Sequence, residues 1–292
     1  MENRTVRGLT VFIVVSFAFS WAVALFVWRG GGLAGFGAWI QALLLLYMCG
    51  PAVGALVCAG LFERGRRLDA LGLRQPRWRE MPWAWLGIVM LCVGALAITL
   101  AVPGYGLGDP VTATVNALDQ VEMSEAQKAS TIEAMELWWM PWMLGLSSLV
   151  LGPLINTPLM LSEELGWRGY VWHVLERFGF WRASAATGLL WGVWHAPIVL
   201  MGYNYPTMPV VGAFLFTLFC ILFSPIYSWL RVTTRSVWGP ALAHGTTNAL
   251  AGYMLMWQDP ADMPFMGLLG VGGLIAMVIA NILIWRRQKR RD

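Results

Sequence analysis

The chain has 292 residues, 58% hydrophobic and 12% charged, with a mean hydropathy of +0.61. Soluble domains carry roughly a quarter charged residues, so this composition excludes an ordinary soluble domain and describes a polytopic membrane protein. The net charge of +4 comes from Lys and Arg clustered between apolar runs. That pattern reads as membrane topology, and no nucleic-acid motif accompanies it.

Arg4 and Arg7 precede the first apolar run, about residues 8–28. The run exceeds the roughly 7–15 residues of a signal-peptide core and is expected to be a retained span. A second run, about residues 36–62, contains Pro51 and is expected to kink there. A loop with Arg64, Arg66, Arg67, Arg74, Arg77 and Arg79 leads to a third run, about residues 83–102. Residues 103–137 look aqueous, with Asp109, Asp119, Glu122, Glu125, Glu133 and Glu136 against Lys128. Within them Ser124 and Gln127 fit a capping box that opens a short helix. Ala126, Ala129, Ile132 and Met135 recur at helical spacing, which predicts an amphipathic helix on the outer membrane surface.

The fourth run, about residues 139–161, delivers Glu163, Glu164 and Arg168. A fifth spans about 183–201, a sixth about 209–230, a seventh about 237–257 and an eighth about 265–285. The termini and the loops after runs two, four and six are basic, whereas the loops after three and seven (Asp259, Asp262) are acidic. The positive-inside rule then predicts about eight transmembrane helices with both termini cytoplasmic. The expected fold is an all-α polytopic membrane protein, one membrane domain over residues 1–292 with a motif-bearing core at about 139–257. The 18 tryptophans fall largely near predicted span ends, as an aromatic belt would. Cys49, Cys58, Cys92 and Cys220 lie inside apolar runs and read as small buried hydrophobes. Arginine outnumbers lysine heavily, which suggests a GC-rich bacterial genome and hence a bacterial inner membrane.

Three runs carry polar groups that hydrocarbon normally excludes: Glu163, Glu164 and Arg168; His195; and His244 with Asn248. Glu164 and Arg168 are four apart, as are Trp191 and His195, and His244 and Asn248, so each set shares one helix face. At 1.5 Å per residue His244 lies about 10 Å in from the cytoplasmic end of its span and His195 about 18 Å in. Glu163 is expected at the cytoplasmic end of the fourth span, a depth mismatch with His195.

A carboxylate beside histidine can act as general base toward water. Arg168 is expected to pair with Glu164, leaving Glu163 as the tunable carboxyl, while His244 and Asn248 offer N–H donors for an oxyanion. The alternative is a zinc site of Glu163, His195 and His244 with one position left for water. Each signal alone has a plainer reading. A transmembrane histidine commonly bonds for packing, a Glu–Arg pair at this spacing is commonly structural, and a transmembrane Asn is often interhelical glue. Three such helices on one side of the membrane favour a site. His173 belongs to no spaced set and reads as interfacial; Asn156 and Thr157 read as helix-packing groups.

Together these motifs resemble the intramembrane endopeptidases that group CAAX prenyl proteases with bacteriocin-processing enzymes, the CPBP or abortive-infection-like family. The family pattern is EExxxR, an aromatic followed four later by His, and HxxxN. Here it reads Glu163-Glu164…Arg168, Trp191…His195 and His244…Asn248, with Trp191 where phenylalanine is more usual. The resemblance covers roughly residues 160–250. It implies an eight-helix protease with a cytoplasm-facing cavity, in which Glu163 and His195 activate water, His244 and Asn248 form the oxyanion site, and Glu164 and Arg168 support them. Both metal-dependent and glutamate-dependent mechanisms are argued for the family. The expected partners are a membrane-associated peptide or protein substrate and the bilayer, with no nucleic acid. The competing reading is a non-enzymatic membrane protein, a proton-coupled transporter or an immunity factor, using the same polar cluster.

Overall fold

The computed structural model describes residues 2–118, 124–257 and 267–290. Asp119, Glu122, Asp259, Asp262 and the end of the basic tail lie outside them. Among the described residues there are helices and turns and no strand.

Helix α1 spans Glu2–Arg29. The second run is split: a 3-10 turn over Leu33–Trp39 leads into α2, Ile40–Met48, and then α3, Gly50–Phe62. The break at Cys49 precedes Pro51, which sits in the first turn of α3, where its missing N–H leaves no bond unmade. One helical turn, α4 (Arg67–Ala70), lies in the basic loop before α5, Met81–Leu100.

The aqueous segment holds two helices, α6 (Pro110–Leu118) and α7 (Glu125–Glu136). Asp109 caps α6 by accepting from Thr112 N–H at 2.9 Å, and these bonds hold its carboxyl below the usual range. The capping box of α7 forms as expected, with Gln127 N–H donating to Ser124 Oγ at 3.3 Å. Burial along the expected apolar stripe is uneven. Ala126 and Ala129 are exposed, Ile132 is half-buried and only Met135 is buried.

Helix α8 covers Met140–Glu164 and does not stop at the end of the apolar run. It continues through a π-helical turn, Leu165–Val171, into α9, Trp172–Leu175, so Glu163 lies inside a long helix instead of at its end. The depth mismatch with His195 thereby disappears. Helices α10 (Phe180–Leu200), α11 (Pro209–Thr234), α12 (Trp238–Leu255) and α13 (Val271–Lys289) follow.

Seven helical stretches among the described residues are long and apolar enough to cross a membrane, not eight. The remaining one is α12, whose apolar character is diluted by His244, Thr246, Thr247 and Asn248. It packs against α8 and α5 and buries most of its first half. Hydropathy therefore falls where the helix meets protein in place of lipid.

Successive long helices run antiparallel and define two faces. The start of α1, the loop before α5, the α9–α10 and α11–α12 turns and the end of α13 share one face, which carries the basic clusters. There Arg77 N–H donates to the Thr234 carbonyl at 2.9 Å and Val237 N–H to that of Gly72 at 3.0 Å. Helices α6 and α7, the α10–α11 loop, Trp257 just after α12 and residues 267–270 before α13 share the other face. Gly108 N–H donates to the Trp257 carbonyl at 2.8 Å there, and Tyr205 Oη–H to that of Leu269.

Helices α8 and α12 approach closely at Gly245, where Asn156 Nδ2–H donates to the Gly245 carbonyl at 3.3 Å. Small residues permit such approach in a bilayer, where apolar side chains gain little by leaving lipid. A Cβ at Gly245 would lie 2.8 Å from Thr157 N, whereas one at Gly87 meets nothing within 4 Å. Gly245→Ala is therefore expected to destabilise the protein in detergent by about 1–3 kcal/mol, the usual cost of overpacking. Gly87→Ala should be neutral or stabilising by up to about 1 kcal/mol through helix propensity. Thermal unfolding of the two variants side by side checks this.

Candidate active site

Adjacent residues on a helix point about 100° apart, so Glu163 and Glu164 look in different directions. Both are buried. Glu164 Oε1 accepts from Arg168 Nη1 at 3.0 Å and from His244 Nδ1 at 2.9 Å. The Arg168–Glu164 pair is the one the four-residue spacing predicts. The guanidinium also lies against the rings of Trp191 and Tyr227, 4.6 and 4.8 Å from their centroids. Two aromatic faces and one carboxylate thus hold a cation that hydrocarbon would reject.

Glu163 is turned toward α10. Its Oε2 accepts from the indole N–H of Trp191 at 2.7 Å. His195, one turn further along α10, donates Nδ1–H to the Trp191 carbonyl at 2.8 Å, which leaves Nε2 with its lone pair. Trp194 and Phe216 pack edge-on against the same imidazole, with ring centroids 4.5 and 4.7 Å away. The preceding turn of α10 is fixed by Tyr47 Oη–H, which donates to the Trp194 carbonyl.

Glu163, Trp191, His195, His244 and Asn248 line one cavity of about 250 Å³. Glu164 and Arg168 are absent from its lining and stand behind His244. Asn248 is exposed, and its Nδ2–H reaches Met160 Sδ at 3.1 Å. Asn156 and Thr157 stay outside this cavity, Asn156 bridging to α12 and Thr157 bonding the Pro153 carbonyl. His173 stands on the basic face, 3.8 Å from Glu63.

The expected metal set does not assemble. Among the described residues no three His, Cys, Asp or Glu side chains are placed to hold an ion. The physical reason is Trp191, whose ring packs edge-on against both imidazoles, 5.8 Å from His195 and 5.3 Å from His244. Glu163 is engaged by the same indole. His244 engages Glu164 through Nδ1, which leaves Nε2 as its other ring nitrogen.

Two contributors, Tyr227 and Tyr47, were not foreseen in the sequence, and a third, Trp191, does more there than its motif position implies. Trp191 is more than a filler, since its N–H grips Glu163, a bond that phenylalanine cannot make. That substitution was itself the available signal. Tyr227 stacks on Arg168 and donates its hydroxyl to Thr247 at 2.8 Å, and Tyr47 orders α10; nothing in their spacing marked either. The belt reading of the tryptophans also fails for Trp167, Trp191 and Trp194, which are buried around the site.

Residues 137–250 match the Rce1-like family, type II CAAX prenyl endopeptidases. A curated relative, CAAX prenyl protease 2 of Methanococcus maripaludis, is 41% identical over 44 residues, which is 15% of this chain and 16% of that protein. The alignment thus spans under a fifth of the relative's length. These matches and the three motifs fall on the same site-bearing part of the chain, which is therefore similar to the CPBP group of CAAX proteases and bacteriocin-processing enzymes.

Proposed function

We propose that the protein is an intramembrane endopeptidase that hydrolyses a peptide bond by water activated at Glu163. The observation that carries this reading is that Glu163, His195, His244 and Asn248, from three helices, line one cavity. Glu163 Oε1 takes one proton from water while Oε2 stays on Trp191, and His195 Nε2 accepts a hydrogen bond from the O–H that the water keeps. The water oxygen bonds to the amide carbon, and the carbonyl electrons move onto oxygen. Asn248 Nδ2–H and protonated His244 hold that oxyanion, with Glu164 as counter-charge to the imidazolium. The C–N bond then breaks as Glu163 returns its proton to the leaving nitrogen. No step is routed through a metal, because Glu163, His195 and His244 do not converge on one.

Glu163→Gln should lower the rate of cleavage of a membrane peptide by at least about 100-fold, the contribution of a positioned base. His195→Ala should act in the same direction, and both proteins should melt close to the parent. Undiminished cleavage by both variants would sink the peptidase reading. Trp191→Phe keeps the ring and deletes one hydrogen bond to a carboxylate, so kcat should fall about 10- to 100-fold. Full activity would assign Trp191 to packing alone. Cleavage should survive exhaustive chelation. A stoichiometric zinc whose removal abolishes activity, restored on re-addition, would replace the glutamate-base mechanism.

A further inference from the structure

We infer that the cavity takes its peptide from the non-cytoplasmic side of the membrane, as an apolar internal segment without a nearby carboxylate. This rests on the peptidase reading for its chemistry but not for its sidedness.

The basic face is closed beneath the site. Gly169, in the π-helical turn, lies so near the Leu71 backbone that a Cβ there would meet its carbonyl oxygen at 2.6 Å. The loop around Leu71 is in turn stitched to the α11–α12 turn. Val237 N–H donates to Gly72 O, Arg77 N–H to Thr234 O, and Ser236 Oγ–H to Arg74 O at 2.6 Å. From α11 Arg231 Nε–H reaches the Arg168 carbonyl at 3.0 Å. Two layers, the Glu164–Arg168 pair and this stitched loop, therefore separate Glu163 from the basic face.

The cavity extends the other way. From Glu163 and His244 its lining passes Asn248 and Gly252 to Leu255 at the end of α12, Asn204 in the α10–α11 loop and Leu268 before α13. All of the latter belong to the face that carries the acidic α6–α7 segment, tied in through Gly108 and Trp257.

Charge then orients the bundle. Among the described residues every Lys and Arg lies on the closed face except Arg29, Lys128 and the internal Arg168. So one-sided a bias assigns the closed face to the cytoplasm. The cavity consequently opens outward, reversing the cytoplasm-facing expectation. Among the described residues its lining contains no Lys or Arg, and its one carboxylate is Glu163. Nothing in that lining would pair a terminal carboxylate, and Glu163 would repel one. Its aromatic and aliphatic walls suit uncharged side chains on both sides of the scissile bond.

Sidedness is tested in intact bacterial cells with a membrane-impermeant maleimide. Gly252 is exposed in the cavity lining, and a Cβ there would meet nothing within 4 Å; Arg64 is exposed on the closed face. Gly252→Cys is expected to label in intact cells, and Arg64→Cys only after permeabilisation. The opposite pattern overturns the proposal. A synthetic apolar peptide that the detergent-solubilised enzyme cuts should be cut at least ten-fold faster by spheroplasts than by inverted vesicles. Equal or faster cleavage by inverted vesicles overturns the entry route. A requirement for a free carboxylate within a few residues of the cut overturns the substrate class. Failure of cleavage in detergent falls on the peptidase reading alone, and the labelling pattern still decides the side.

Discussion

The buried contact among Glu164, Arg168 and His244 is the constraint on which the rest depends. A guanidinium with no solvent exposure needs a counter-charge, and Glu164 supplies it from the same helix. Removing one member of such a pair typically costs about 3–5 kcal/mol, because the other charge is left stranded. The same carboxylate oxygen fixes His244, so α12 is registered against α8 through one atom. The faces of Trp191 and Tyr227 bring in α10 and α11. One ion pair therefore aligns four helices, and it does so behind the cavity wall. Its consequence for chemistry is to make neighbouring carboxylates unequal. Glu164 is held by Arg168 and His244, whereas Glu163 bonds Trp191 through one oxygen and faces the cavity.

The cluster also explains why the long helix could not end where its apolar run ends. Arg168 must turn inward, and the π-helical turn over Leu165–Val171 widens the helix where that happens. Such turns recur at functional sites because they change which side chains share a face. Gly166 and Gly169 flank Arg168 and let the helix press against Pro51 and Leu71. The charged group is thus covered from the basic side by backbone and by Arg231, which donates to the Arg168 carbonyl. Closure of that face follows from the same packing that keeps the cation dry.

Much of this was legible in the sequence, for a physical reason. In a bilayer every ionisable group inside an apolar run is costly, so Glu163, Glu164, Arg168, His195, His244 and Asn248 announced themselves. The four-residue spacing of Glu164 and Arg168 named their pairing correctly. Hydropathy misled where helices meet protein instead of lipid. It ended α8 at its first charges, although Glu164 and Arg168 are paired inside. Long-range contacts left no periodic trace, and Tyr47, 147 residues from the carbonyl it bonds, had no signal at all.

Trp191 shows how one substitution within a motif changes what a site can do. An aromatic one turn before His195 would fill space in any case, but the indole adds a donor, and that donor meets Glu163. Its ring also packs edge-on against both imidazoles. A coordination sphere needs convergent lone pairs about 2 Å from one centre. A general base needs only one free oxygen and a bound water in reach. The indole satisfies one oxygen of Glu163 and borders both histidines. In the mechanism proposed above, the Glu163 oxygen that the indole leaves free is the one that meets water, with His195 beside it.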